Sequence, residues 1–100
     1  MTYRGYTLKS IRPSHLSGKK KMATFQHEDG HIKVIHFGSE NMSDYTKHKD
    51  PERKRRYIAR HSSNENWNNP LSAGSLSKNI LWNKPSYTES VADFRRRFNL

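Results

Sequence analysis

Two β-forming runs, residues 22–27 (MATFQH) and 31–37 (HIKVIHF), stand on either side of Asp29-Gly30. Both positions of that dipeptide tolerate positive φ, so the pattern predicts a hairpin closed by a two-residue type I′ turn. With Asp29 and Gly30 as the turn residues, Glu28 faces His31, Phe25 faces Val34 and Ala23 faces His36. One face of the hairpin then carries Ala23, Phe25, Ile32 and Val34. The other carries Met22, Ile35 and Phe37 with Thr24 and Lys33. Both faces are partly apolar, so the hairpin is expected to be covered on one side and touched on the other.

Upstream, residues 6–11 alternate in part and suggest a first strand, ended by Pro13, which cannot donate a ladder hydrogen bond. Residues 13–21 (PSHLSGKKK) read as a flexible basic loop, and residues 38–49 as a second loop. Helix signals then take over. Asp50-Pro51-Glu52 supplies a cap, a proline suited to the first helical position and an acid at the positive dipole end. The helix is expected over residues 51–61, with Tyr57 and Ile58 as a narrow stripe turned to the sheet. After a loop over residues 62–70, with Trp67 as its anchor, Ser72 can cap a second helix holding Leu76 and Ile80 one turn apart. That helix ends near Asn83, because Pro85 disfavours helical geometry at Lys84. In the third helix, Ser86-Tyr87-Thr88-Glu89 has capping-box form, and Tyr87, Val91, Phe94 and Phe98 share one face. The expected architecture is α+β: a small antiparallel sheet of two or three strands followed by three short helices. It is one small basic domain over residues 1–100, with an N-terminal strand and loop over 1–20, the hairpin over 21–38 and the helical part over 50–100.

Charge narrows the function. The chain has 19 Lys and Arg against 9 Asp and Glu, a net charge of +10. Mean hydropathy is −1.14 and only 31% of residues are apolar, so a marginal free-standing fold is expected, one that a partner could complete. There is no cysteine, which excludes disulfide scaffolds, cysteine zinc sites and thiol enzymes. No apolar run approaches the length of a membrane span, and the first ten residues lack the apolar core of a signal peptide. The expectation is a protein that is not secreted.

The basic residues fall in three clusters: Lys19, Lys20 and Lys21; Arg53, Arg55, Arg56 and Arg60; and Arg95, Arg96 and Arg97. Any one of them can be a solvated face. Together they create a self-repulsion that a polyanionic partner would relieve, and nucleic-acid phosphates do this through counterion release. Helical spacing places Arg53, Arg56 and Arg60 on a common side, facing outward to a partner or pairing internally with Asp44, Asp50 and Glu52. No sequence-reading nucleic-acid motif accompanies them. The histidines lack the short convergent spacing of a metal site, the glycines form no phosphate-binding loop, and no nucleophile arrangement stands out. No catalytic residue, metal or cofactor is therefore expected, and a small-molecule substrate is not.

Within residues 37–100, Phe37-Gly38, Ser43-Asp44-Tyr45-Thr46, His48-Lys49-Asp50, Tyr57-Ile58, Arg60-His61, Glu65-Asn66-Trp67, Pro70, Ser72-Ala73-Gly74, Leu81 through Pro85 and Arg97-Phe98 follow one another in order. This series resembles a family of short basic proteins of unknown function encoded by large nucleocytoplasmic DNA viruses. The resemblance covers about two thirds of the chain and implies a non-enzymatic role in the virion, the host cytoplasm or the viral factory. It leaves two kinds of partner open: nucleic acid bound without sequence preference, or the acidic surface of larger capsid subunits, as a minor capsid or cement protein would meet. The Asp44-Tyr45-Thr46 and His48-Lys49-Asp50 segment is read as a polar knot that satisfies backbone groups, with direct partner contact as the alternative.

Overall fold

The computed structural model describes residues 2–63 and 66–100. Among them, β1 (Tyr6–Pro13), β2 (Lys19–His27) and β3 (Ile32–Ser39) form an antiparallel sheet in the order β1-β2-β3. Four short helices follow: α1 (Tyr45–His48), α2 (Pro51–His61), α3 (Ala73–Leu76), which runs on as a π-helical turn over Ser77–Leu81, and α4 (Tyr87–Phe98). The architecture is α+β, as the sequence pattern predicts, with one more helical turn than expected.

The hairpin differs from expectation by one residue. His27 N donates to His31 O (2.7 Å) and Gly30 N to His27 O (2.9 Å), with Gly30 at φ +96. Asp29 keeps a negative φ, and its carboxylate accepts the His31 N–H at 2.8 Å. The loop is therefore residues 28–30, the three-residue form closed by a left-handed glycine. Ala23 pairs with Ile35, Phe25 with Lys33 and Met22 with His36, not with the partners a two-residue turn dictates. A one-residue slip turns a strand over. Ile35 and Phe37 consequently join Ala23 and Phe25 on the covered face, while Ile32 and Val34 are 52% and 45% exposed on the other.

Two further boundaries move. β2 begins at Lys19, so Lys19, Lys20 and Lys21 belong to a strand and the preceding loop is only residues 14–18. β3 extends to Ser39, and α1 interrupts the loop that follows. β1 carries a bulge between Leu8 and Ser10. The extra residue keeps Leu8 and Ile11, three apart, on the same covered face. The core gathers Leu8, Phe25, Phe37, Leu76, Ile80 and Phe94 from the sheet, α3 and α4.

Local caps hold the helices as their sequences indicate. Asp50 accepts from Glu52 N (3.0 Å), Ser72 from Ser75 N (3.2 Å) and Ser86 from Glu89 N (3.2 Å). In α4, Phe94 is fully buried and its ring lies 5.2 Å from that of Phe98. Trp67 anchors the loop chiefly through its carbonyl, which accepts from Ser75 Oγ (3.0 Å) and Asn79 Nδ2 (3.3 Å). Glu65, the first residue of the Glu65-Asn66-Trp67 motif, lies outside the described residues.

Candidate functional site

The basic helix α2 buries no residue fully, so its position depends on a few strong contacts. The Tyr57 ring stacks on Trp82 with 4.3 Å between centroids and 2° between planes, and His61 lies 4.4 Å from it on α2 itself. Tyr57 thus docks α2 on the end of the π-helical turn, not on the sheet. Such an aromatic pair is worth about 0.5–1.5 kcal/mol beyond the area it buries. Lys54 adds a tether: its Nζ donates to Asn83 O at 2.6 Å and sits 5.2 Å from the Tyr45 ring.

Pinning Tyr57 fixes the rest of the helix. Arg53, Arg56 and Arg60 line a groove of about 520 Å³ between α2, the ends of β2 and β3, and α3. All three are exposed, and none makes an ion pair within the described residues. Lys19, Ser39 and Met42 stand at the β side, and Ala73, Gly74 and Ser77 form the opposite wall. The floor is Phe37, Leu81, Tyr57 and Trp82. Two backbone features let these walls meet. Gly38 has φ +81, a backbone conformation that favours glycine, and a Cβ there would stand 2.6 Å from Leu81 Cδ1 and have to displace that side chain. In the π-helical turn, Trp82 N donates to Ser77 O at 3.2 Å. Turns of that kind recur at functional sites.

Behind the groove lies the polar knot. Lys20 Nζ meets Asp44 Oδ2 at 2.5 Å, with side chains 9% and 2% exposed. Asp44 Oδ1 also accepts the Thr46 N–H at 3.0 Å, capping α1, and the Thr46 hydroxyl. Burial raises the Asp44 carboxyl, but the hydrogen bonds from Lys20 and Thr46 outweigh it and leave the group below the usual Asp value. Next to the knot, His48 Nδ1 accepts the Asp50 N–H at 3.0 Å, and its ring lies 5.2 Å from Trp82. Burial lowers the His48 pKa, and Arg53 lowers it further, against the opposing pull of Asp50 and Asp44.

The groove therefore collects Lys19, Lys20, Arg53, Arg56 and Arg60 from the predicted set, with Lys20 already held by Asp44. The remaining predicted contacts lie elsewhere and have intramolecular partners. Lys21 Nζ sits 4.8 Å from the Tyr87 ring, and Arg55 pairs with Glu52. Arg95 donates to Leu8 O (3.4 Å), Arg96 to Asp93 (2.6 Å) and Arg97 to Asn79 Oδ1 (3.0 Å). The alternative in which Arg53, Arg56 and Arg60 pair with Asp44, Asp50 and Glu52 is not what forms. Asp44 takes Lys20, Glu52 takes Arg55, and Asp50 caps α2. No group of three or more His, Asp or Glu side chains is arranged to hold a metal among the described residues.

A family model matches residues 9–61, and its description is a family of unknown function (DUF5754). The chain belongs to this family. No curated protein and no solved structure matches it. The span shared with DUF5754 carries most of β1, the hairpin, the Lys20–Asp44 knot and α2, hence every basic residue of the groove. The facing wall, from Ala73 to Trp82, lies beyond the matched residues. No helix among the described residues is long and apolar enough to cross a membrane.

Proposed function

We propose that this DUF5754 protein is a non-enzymatic binder of nucleic acid, holding phosphates on Arg53, Arg56 and Arg60 without reading sequence. The observation that carries the reading is three guanidinium groups on one helix side, without acidic partners among the described residues, facing one groove beside Lys19. Planar guanidinium forks bind phosphate oxygens two at a time. The carboxylate nearest the groove, Asp44, is committed to Lys20 and Thr46, which favours binding over proton-transfer chemistry. The sequence resemblance supports placing this activity in the particle or factory of a large DNA virus.

A second reading is a minor capsid or cement protein. Its support is the uncovered sheet face, where Ile32 and Val34 are half exposed, beside the same basic surface. Titrating a labelled random-sequence oligonucleotide against rising salt separates the two. Binding that weakens steeply and linearly on a log–log scale is expected for phosphate contacts. Failure to bind near 50 mM salt, within the range where such contacts are strong, would favour the capsid reading.

A further inference from the structure

We infer that the groove takes one unpaired nucleotide of a single strand and discriminates against duplex. The inference rests on the phosphate reading above and deepens it.

The argument begins with the mismatch between the groove's rim and its floor. Arg53 and Arg60 are separated by seven residues of α2, about 10 Å along a helix rising about 1.5 Å per residue. That length offers cations to a short stretch of backbone. Beneath them the accessible lining is partly apolar, with half-buried Tyr57 and exposed Ala73 and Met42 around the covered Phe37 and Leu81. A ligand that is anionic throughout satisfies the arginines and leaves the apolar surface of Tyr57, Ala73 and Met42 wet. A nucleotide joins an anionic group to a flat, weakly polar one, and so matches both. The volume of about 520 Å³ falls within the range of about 300–1,000 Å³ usual for small-ligand sites. A duplex exposes phosphate, sugar and base edges but keeps its base faces stacked and its bases paired, so it meets the arginines and cannot seat a whole base in the groove.

The aromatic groups limit how the base is held. Tyr57 has Trp82 and His61 on its ring, and Trp82 has Tyr57 and His48. Their faces are occupied, so the base contacts aliphatic groups and ring edges instead of adding to a stack. Base preference should therefore be weak. Met42, unbranched and adaptable, is placed to close over any of the bases.

The test uses the full chain with a labelled oligothymidylate, a duplex of equal length and a glutamate-rich peptide bearing one Leu. Ala73 is exposed on the α3 wall, so Ala73→Trp narrows the groove while every arginine is retained. The single strand is expected to bind about tenfold tighter than duplex at equal salt, a difference of about 1.4 kcal/mol. Ala73→Trp should erase that advantage and leave duplex binding unchanged. If Ala73→Trp does not fold, Met42→Ala at the exposed rim reads the same point, with single-strand affinity expected to fall about threefold and duplex affinity to hold. Equal affinity for the two nucleic acids, or a single-strand preference indifferent to both variants, overturns the inference while leaving phosphate binding intact. Tighter binding of the peptide overturns it in favour of a protein partner. No salt-dependent binding of either nucleic acid defeats the phosphate reading itself.

Discussion

Replacing Asp44 by Ala removes three things together: the ion pair to Lys20, the cap on α1 and the partner of the Thr46 hydroxyl. Taking one member out of a buried pair costs about 3–5 kcal/mol, because the other charge stays buried and uncompensated. Here the lower end applies. Lys20 is 9% exposed and borders the groove, so its long side chain can swing toward water and recover part of its hydration. Adding about 1 kcal/mol for the lost cap gives a loss of about 4 kcal/mol, or about 16–32 °C in a domain of this size. The double variant Lys20→Met with Asp44→Leu should recover much of it, since replacing a buried pair by apolar groups is often neutral. Urea unfolding of Lys20→Met, Asp44→Leu and the double variant isolates the coupling between them. An Asp44→Ala protein that melts like the parent but binds its partner poorly would show that the Ser43-Asp44-Tyr45-Thr46 segment is a contact site, not a knot.

Phe94→Ala should cost about 3–5 kcal/mol, the range for deleting a fully buried ring, and calorimetry showing unchanged unfolding would place the α4 stripe outside the core. Gly38→Ala should lose about 1–3 kcal/mol, since it combines positive φ with a contact on Leu81; an unchanged denaturation midpoint would mean the β3–α3 approach is looser than described. Burial holds the His48 pKa below its ordinary 6.5, so the folded state prefers the neutral ring. That contribution is complete above 6.5 and is lost as pH falls toward the folded value. Urea midpoints measured from pH 7.5 to 5 should decline, His48→Gln should flatten the decline, and equal slopes in both proteins would remove His48 as the cause.

What was legible in the sequence was local. The caps Asp50, Ser72 and Ser86 and the bounds of α2 follow from side chains bonding within three residues of themselves, and such signals need no tertiary context. The hairpin was legible as a hairpin but not in register. Asp29 can adopt positive φ, yet its carboxylate instead holds His31 N–H in the longer loop, and that choice turned Ile32 and Val34 outward. The one-turn α1 is too short to leave a periodic signal. The π-helical turn ends at Trp82, which stacks on Tyr57 from a distant helix, a contact that no local window contains. For the same reason the common side of Arg53, Arg56 and Arg60 was predictable from spacing, whereas its opposite wall was not. Arg95, Arg96 and Arg97 formed an equally basic run, but Leu8, Asp93 and Asn79 engage them in the fold.

The most direct test of the groove is the salt dependence of single-strand binding by the parent protein and by Arg53→Gln/Arg56→Gln/Arg60→Gln, with thermal unfolding recorded on the same samples. Each phosphate contact on a single strand contributes about 0.7 to the log–log slope, so three lost contacts should lower it by about 2 units. The melting temperature should stay within a few degrees, since these side chains are exposed and have no acidic partners among the described residues. A variant with reduced slope and intact fold is the predicted result. An unchanged slope, or lost stability with the affinity of the folded fraction preserved, would contradict a phosphate-binding role for these arginines.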